Sequence, residues 1–166
     1  MEQISIERLK LLHPKIVESA LDAYADAIQR TPKNIHPFIT QTLRTFDESN
    51  HLYELGRTIV NPDGVTPSKP FGNIVTNAKA GQSYHNYGLA LDFCIMDDGN
   101  PEYNVDDNWL IVVDCFKKKG FTWGGDFTGN FKDNPHLENK FGYNWRDLLV
   151  KYNNKDFIQG TSYVNI

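Results

Sequence analysis

The stretch Ser83-Tyr84-His85-Asn86-Tyr87-Gly88-Leu89-Ala90-Leu91-Asp92-Phe93 sets an imidazole and a carboxylate seven residues apart across a glycine. Beyond Gly88 the odd positions Leu89, Leu91, Phe93 and Ile95 are large and apolar, and the even positions Ala90, Asp92 and Cys94 are small or polar. That period of two is the signature of a strand with one face in a core. Asp92 then points away from the core, toward whatever His85 faces at the head of the strand. Taken alone, the stretch is open between half of a metal site and a loop histidine beside a solvated aspartate.

Composition narrows the rest. A chain of 166 residues is expected to form one domain, 1–166, large enough to bury a core without staples. The net charge of -4 and the spread of Lys and Arg along the chain argue against a nucleic-acid partner. No run approaches the ~18 apolar residues of a membrane span, so no membrane insertion is expected. The first residues lack a basic start and an apolar core, which predicts synthesis in the cytoplasm without a signal peptide. Cys94 and Cys115 both lie in apolar segments and read as buried thiols.

Around the opening stretch the pattern alternates helix and strand. Apolar residues from Ile6 to Ile28 recur at helical spacing, and Pro14 divides them into a short helix to about Leu12 and a longer one ending at Thr31-Pro32. Residues 35–44 read as a strand with Ile39 and Leu43 on one face and Thr40, Thr42 and Arg44 on the other. Thr45 and Glu48 match a capping box for a helix running to Leu55, with Gly56 as its stop. Residues 57–81 carry prolines and glycines with little periodicity, a loop expected to be either a lid or a surface insertion. A turn at 97–101, a helix from Asp106 to Gly120, a strand at 121–123, a loop at 124–135, a short strand at 136–138, a helix at 145–152 and an edge strand at 162–166 complete the expectation.

Catalytic zinc is held by three protein ligands, with a position left for water. His13 precedes Pro14, His36 precedes Pro37, and His51 sits on a short helix without a suitable carboxylate companion, so each reads as a packing or surface residue. His136 differs, because it enters a short strand behind Asp133-Asn134-Pro135 and shares a face with Glu138. His85, Asp92 and His136 as ligands, with Asp133 as a base, are the parts of a zinc hydrolase. Two His and two Asp also occur together by chance in many chains.

The paired strings Ser83-x-His85-x-x-Gly88-x-Ala90-x-Asp92 and Asp133-x-x-His136-x-Glu138 resemble the signature of zinc-dependent peptidoglycan peptidases related to D-Ala-D-Ala carboxypeptidases. Within these the chain is most similar to the L-alanyl-D-glutamate endopeptidases of the endolysin type. Arg44-Thr45, Leu52-Tyr53-x-x-Gly56-Arg57-Thr58, residues 74–78, 120–126 and 163–166 extend the resemblance over nearly the whole chain.

The resemblance implies an α+β fold, with a small, mainly antiparallel sheet and helices packed against it, as in the hedgehog and D,D-peptidase domains. It implies one Zn2+ per chain on His85, Asp92 and His136, with Asp133 as general base and Arg44 steadying the oxyanion. Ser83, Glu138 and Arg57 are candidates for substrate contact or support of the ligands, with a turn role for Ser83 and a solvent-facing role for Glu138 as the alternatives. The implied activity is hydrolysis of the L-Ala-D-Glu bond in the peptidoglycan stem peptide by a monomer, acting on the cell wall after holin-type release from a phage or prophage host. A D,D-carboxypeptidase or D-Ala-D-Ala dipeptidase is the alternative within the chemistry. A non-catalytic zinc-containing binding module is the alternative outside it, and Asp133 argues against that. Two places depart from the family pattern: Ser49 stands where relatives carry Gln, and the loop at 59–73 is longer.

Overall fold

The computed structural model describes residues 2–129 and 132–166, so two residues of the expected 124–135 loop lie outside the described part. Five helices are α1 (Glu2–Leu9), α2 (Val17–Arg30), α3 (Phe46–Glu54), α4 (Asp107–Lys118) and α5 (Trp145–Asn153). Five strands are β1 (Ile35–Gln41), β2 (Ala90–Asp97), β3 (Asn100–Glu102), β4 (Thr122–Trp123) and β5 (His136–Glu138). They form one sheet in the order β1-β2-β5-β4, with β3 also on β2, and every pairing is antiparallel. This is the α+β arrangement expected from the sequence.

The opening stretch supplies the central strand. Leu89, Leu91, Phe93 and Ile95 are all buried, and the Phe93 ring lies 4.3 Å from that of Trp109 on α4. Each such side chain contributes on the order of 1.5–3 kcal/mol when removed from water. Ala20, Ala23, Tyr24 and Ala27 form the buried stripe of α2 at helical spacing, and α2 packs against α4. The opposite face of β2 is also buried at Ala90, Cys94 and Met96, and within the strand only Asp92 and Asp97 stay partly open.

Helix starts follow local chemistry. Thr45 and Glu48 form the reciprocal capping box of α3, Asp106 caps α4 through Trp109 N at 2.9 Å, and Asn144 caps α5. Both cysteines are buried and free.

Three sequence expectations are corrected. The register of β1 against β2 slips between Ile39 and Gln41, so Thr42 is buried and Leu43 is only partly so, the reverse of strict alternation. The expected turn at 97–101 shrinks to Asp98-Gly99, which both take positive φ and close a two-residue hairpin, so that β3 pairs with β2 from Asn100 on. Residues 162–166 add no edge strand. They make one isolated bridge, Val164 to Phe157, and Val164 O accepts from Nε2 of the buried His13 at 2.9 Å.

Candidate active site

The opening stretch folds as a single 3-10 turn, Tyr84–Tyr87, leading into β2. Ser83 heads the turn, its Oγ accepting from His85 N at 3.4 Å, and Gly88 closes it with φ 67°. A side chain at Gly88 would meet His13 N at 2.9 Å, so glycine answers both a left-handed backbone and a close approach. The turn sets the His85 ring beside β2, on the face where Asp92 emerges.

Across the sheet, Asp92 pairs directly with His136 in the β2–β5 register. The result is a triangle of donor atoms. His136 Nδ1 lies 3.1 Å from Asp92 Oδ1, His85 Nε2 lies 3.3 Å from Asp92 Oδ1, and the two imidazole nitrogens are 3.3 Å apart. Ligands bound at about 2.0–2.1 Å around a tetrahedral zinc ion stand roughly 3.3 Å from one another. Two nitrogens and a carboxylate oxygen at these separations fit that ion, and among the described residues this is the group able to hold a metal.

The remaining ring nitrogens are committed. His85 Nδ1 donates to Thr42 O at 2.8 Å, and His136 Nε2 donates to Glu138 Oε2 at 3.2 Å. Each bond fixes a tautomer and leaves the nitrogen facing the triangle as the lone pair for a metal. Glu138 is buried, and Lys140 Nζ at 3.3 Å shares its charge. Burial alone would lower the His136 pKa, but Asp92 and Glu138 on either side raise it to about 9. Burial alone would raise the Asp92 carboxyl, but His85 and His136 hold it far below the usual carboxylate range. The triad without metal therefore stores a proton on His136.

Asp133 and Arg44 complete a cleft of ≈ 860 Å³ with the triad on its lining. Burial, with Asp92 adding to it, raises the Asp133 pKa, while His136, His85 and Arg44 pull the other way. A carboxylate moved up toward neutrality is a better proton acceptor. Arg44 follows the end of β1, and its Nη2 lies 3.9 Å from Asp92 Oδ2. Its Nε is buried and has no protein partner among the described residues. Leu52, Ile74, Val75, Thr76 and Asn77 form the facing wall, so the end of the 57–81 loop is part of the cleft.

Residues 76–139 match the family of D-alanyl-D-alanine carboxypeptidases. The chain is 44% identical over 136 residues to the peptidoglycan L-alanyl-D-glutamate endopeptidase CwlK of Bacillus subtilis (strain 168), covering 76% of this chain and 72% of that protein. The chain belongs to this peptidase family. It is also 42% identical over 65 residues to the L-alanyl-D-glutamate peptidase of Listeria phage A118, a match spanning 37% of this chain and 23% of the phage protein. The fold is that of the Serratia marcescens L-Ala D-Glu endopeptidase ChiX, with a TM-score of 0.55, 18% identity, and coverage of 86% of this chain and 88% of ChiX.

Within this peptidase the sequence-predicted residues divide. His85, Asp92, His136, Asp133, Arg44 and Ser83 all line the cleft. Glu138 stands behind His136, away from the lining. Arg57 is also outside it: the guanidinium stacks on Tyr53 at 4.0 Å and donates to Thr76 O at 2.9 Å and Asn77 Oδ1 at 3.0 Å, bracing the wall. The loop is held internally as well, by Asn61 N to Phe71 O at 2.8 Å and Asn73 N to Asp63 O at 2.7 Å.

Gly124 was visible in the sequence as part of a family landmark, but its role appears only in the peptidase fold. Its carbonyl accepts from Asp133 N at 3.2 Å, and a Cβ there would stand 2.2 Å from Asp133 O. Gly124→Ala should therefore push the Asp133 backbone away and lower kcat about 100-fold with zinc content unchanged. Steady-state kinetics alongside metal analysis measures both, and a kcat within about twofold of wild type would remove Gly124 from the positioning of Asp133.

Proposed function

We propose that this peptidase hydrolyses the L-Ala-D-Glu bond of the peptidoglycan stem peptide as a single-domain monomer with one Zn2+ on His85, Asp92 and His136. The observation that carries the chemistry is the 3.1–3.3 Å triangle of donor atoms beside a carboxylate at Asp133. The identity to CwlK, an L-alanyl-D-glutamate endopeptidase, carries the choice of bond. The one hydrophobic core running from α1 through β2 to α5 supports a single domain.

The chemistry supplied by zinc in such a site is Lewis acidity, which polarises a carbonyl and makes water acidic near neutrality. Asp133 accepts a proton from the attacking water at its carboxylate. The water oxygen bonds to the acyl carbon of L-Ala, and the C–N bond to D-Glu breaks. Asp133 then gives its proton to the departing amine, so water is divided between the new carboxyl and the new amino group. Arg44 presents a fixed positive charge to the former carbonyl oxygen as negative charge grows there. His85 and His136 keep their tautomers through Thr42 O and Glu138 while this happens.

No described helix is long and apolar enough to cross a membrane. With a substrate in the wall, the place of action we propose is the cell wall, in a lytic role after holin-type release; the chain's likeness to a phage peptidase supports the phage setting alone. The family description as a D-alanyl-D-alanine carboxypeptidase supports a second reading, cleavage at the D-Ala terminus. Mass spectrometry of muropeptides after digestion of purified peptidoglycan separates them. The expected products carry a free D-Glu amino group and a C-terminal L-Ala on the lactyl side. Released D-Ala with intact L-Ala-D-Glu bonds would overturn the endopeptidase assignment.

A further inference from the structure

Next to His85 stands a buried primary amide that none of the chemistry above uses. Asn86 follows His85 in the 3-10 turn, where successive side chains diverge by about 120°. His85 faces the cleft and Asn86 faces the interior. Its Nδ2 donates to Ser49 Oγ at 2.7 Å, to Arg44 O at 3.0 Å and to Thr45 O at 3.3 Å. Its Oδ1 accepts from Gly81 N at 2.9 Å. A carboxamide has two N–H donors and one acceptor oxygen, so a backbone N–H on one side and two carbonyls on the other allow one orientation only. Both N–H groups are engaged, one of them shared between two acceptors, and the oxygen holds Gly81 N.

The partners belong to three segments that meet at the cleft. Arg44 and Thr45 link the end of β1 to α3, Ser49 lies within α3, and Gly81 ends the 57–81 loop just before Gln82 and Ser83 on the cleft lining. Two further bonds close the network. Arg44 N donates to His85 O at 3.0 Å, and the Tyr87 hydroxyl donates to Gly81 O at 2.7 Å. Arg44 is therefore gripped from both ends of its backbone by consecutive residues, its N–H by His85 and its C=O by Asn86. A guanidinium on a long flexible stem has its root fixed to the same turn that carries a metal ligand.

We infer that Asn86, seated on Ser49, is a positioning residue that sets Arg44 against the His85–Asp92–His136 triad and anchors the loop wall at Gly81. The inference rests on the proposed stem-peptide hydrolysis for its kinetic consequence, but its structural consequence is independent of it. Displacing a charge-stabilising group by about 1 Å is enough to cost on the order of 100-fold in rate. Asn86 acts through Arg44 and touches no substrate.

The kinetic test is a double-mutant cycle on zinc-loaded protein with a synthetic stem peptide. Asn86→Ala should lower kcat about 100-fold with KM within about threefold and zinc near one per chain. In an Arg44→Ala background the same change should cost less than about threefold, because the group it positions is already gone. Equal losses in both backgrounds would make Asn86 a general structural residue and overturn the inference. The second readout is amide hydrogen exchange on metal-free protein. Asn86→Ala should speed exchange at Gly81, whose N–H its side chain accepts, at least about tenfold and leave Leu91 and Phe93 in β2 unchanged. Asn86→Asp keeps the acceptor for Gly81 but loses the donors to Arg44 O, so Gly81 should stay protected while kcat falls as in Asn86→Ala. Unchanged protection at Gly81 in Asn86→Ala overturns the anchor. Should Asn86→Ala lose protection throughout, Ser49→Ala, which removes one partner only, carries the same cycle. Absence of stem-peptide cleavage by wild type would sink the proposed function, and the exchange pattern would still decide the network.

Discussion

Asp133→Asn should lower stem-peptide turnover by about 10³-fold while leaving one zinc per chain bound. The carboxamide has nearly the same shape, so Gly124 and the turn into β5 are not disturbed, and Asp133 is not one of the three converging donor atoms. What is lost is the ability to take a proton from water and return it to the amine. Burial has moved the wild-type carboxyl upward, toward the pH at which it works. With zinc in enough excess to stay bound, the acid limb of the wild-type profile should accordingly lie above the ordinary carboxylate range, and the residual activity of Asp133→Asn should lose that limb. Turnover within about tenfold of wild type would remove Asp133 from the base role.

Stripping the metal should abolish turnover and leave the protein folded. In the metal-free site His136 carries a proton between Asp92 and Glu138, so no buried charge is left unpaired. The His136 pKa is raised from 6.5 to about 9, so this ion-pair stabilisation is complete below about pH 6.5 and is lost as pH rises through about 9. Metal needs the Nδ1 lone pair and so displaces one proton, and apparent affinity should rise about tenfold per pH unit up to about 9. Acidification reverses this, which carries the loss of activity on the acid side beyond the range of an unperturbed histidine. At a thousandfold excess of zinc over Kd the holoprotein gains about 4 kcal/mol, a rise in Tm on the order of 10 °C. Calorimetry, proton release and activity on re-adding one equivalent of zinc test this together. An apoprotein that keeps full activity would refute the metal assignment, and a zinc affinity that does not fall on acidification would refute the linkage.

Much of the fold was legible because its signals are local. The alternation at 89–95 marks the central strand, the capping box at Thr45 and Glu48 starts α3, and Gly56, Gly88 and Gly120 stand where the backbone must turn left-handed. Structure departs from the local pattern where neighbours decide. The bulge in β1 depends on how it pairs with β2, and the 162–166 tail found the backbone around His13 and Phe157 where an edge strand was expected. Asp98-Gly99 is a hairpin signal in its own right, since both residues accept the positive φ of a two-residue turn.

For the site, the sequence alone determined which residue types could hold a metal and in what order they come. His85 and Asp92 lie on one continuous segment, and Asp133, His136 and Glu138 on another. Tertiary structure decided that these segments meet, because the antiparallel register of β2 against β5 sets Asp92 opposite His136. It also decided the proton positions on both imidazoles, since Thr42 O and Glu138 are partners that no spacing reveals for His85 and only proximity confirms for His136. The bracing of the wall by Arg57, the fit of Gly124 under Asp133 and the grip of Asn86 on Arg44 belong to the same class. Periodicity and caps are properties of a short stretch of chain, whereas a hydrogen bond between residues forty apart exists only once the core has packed.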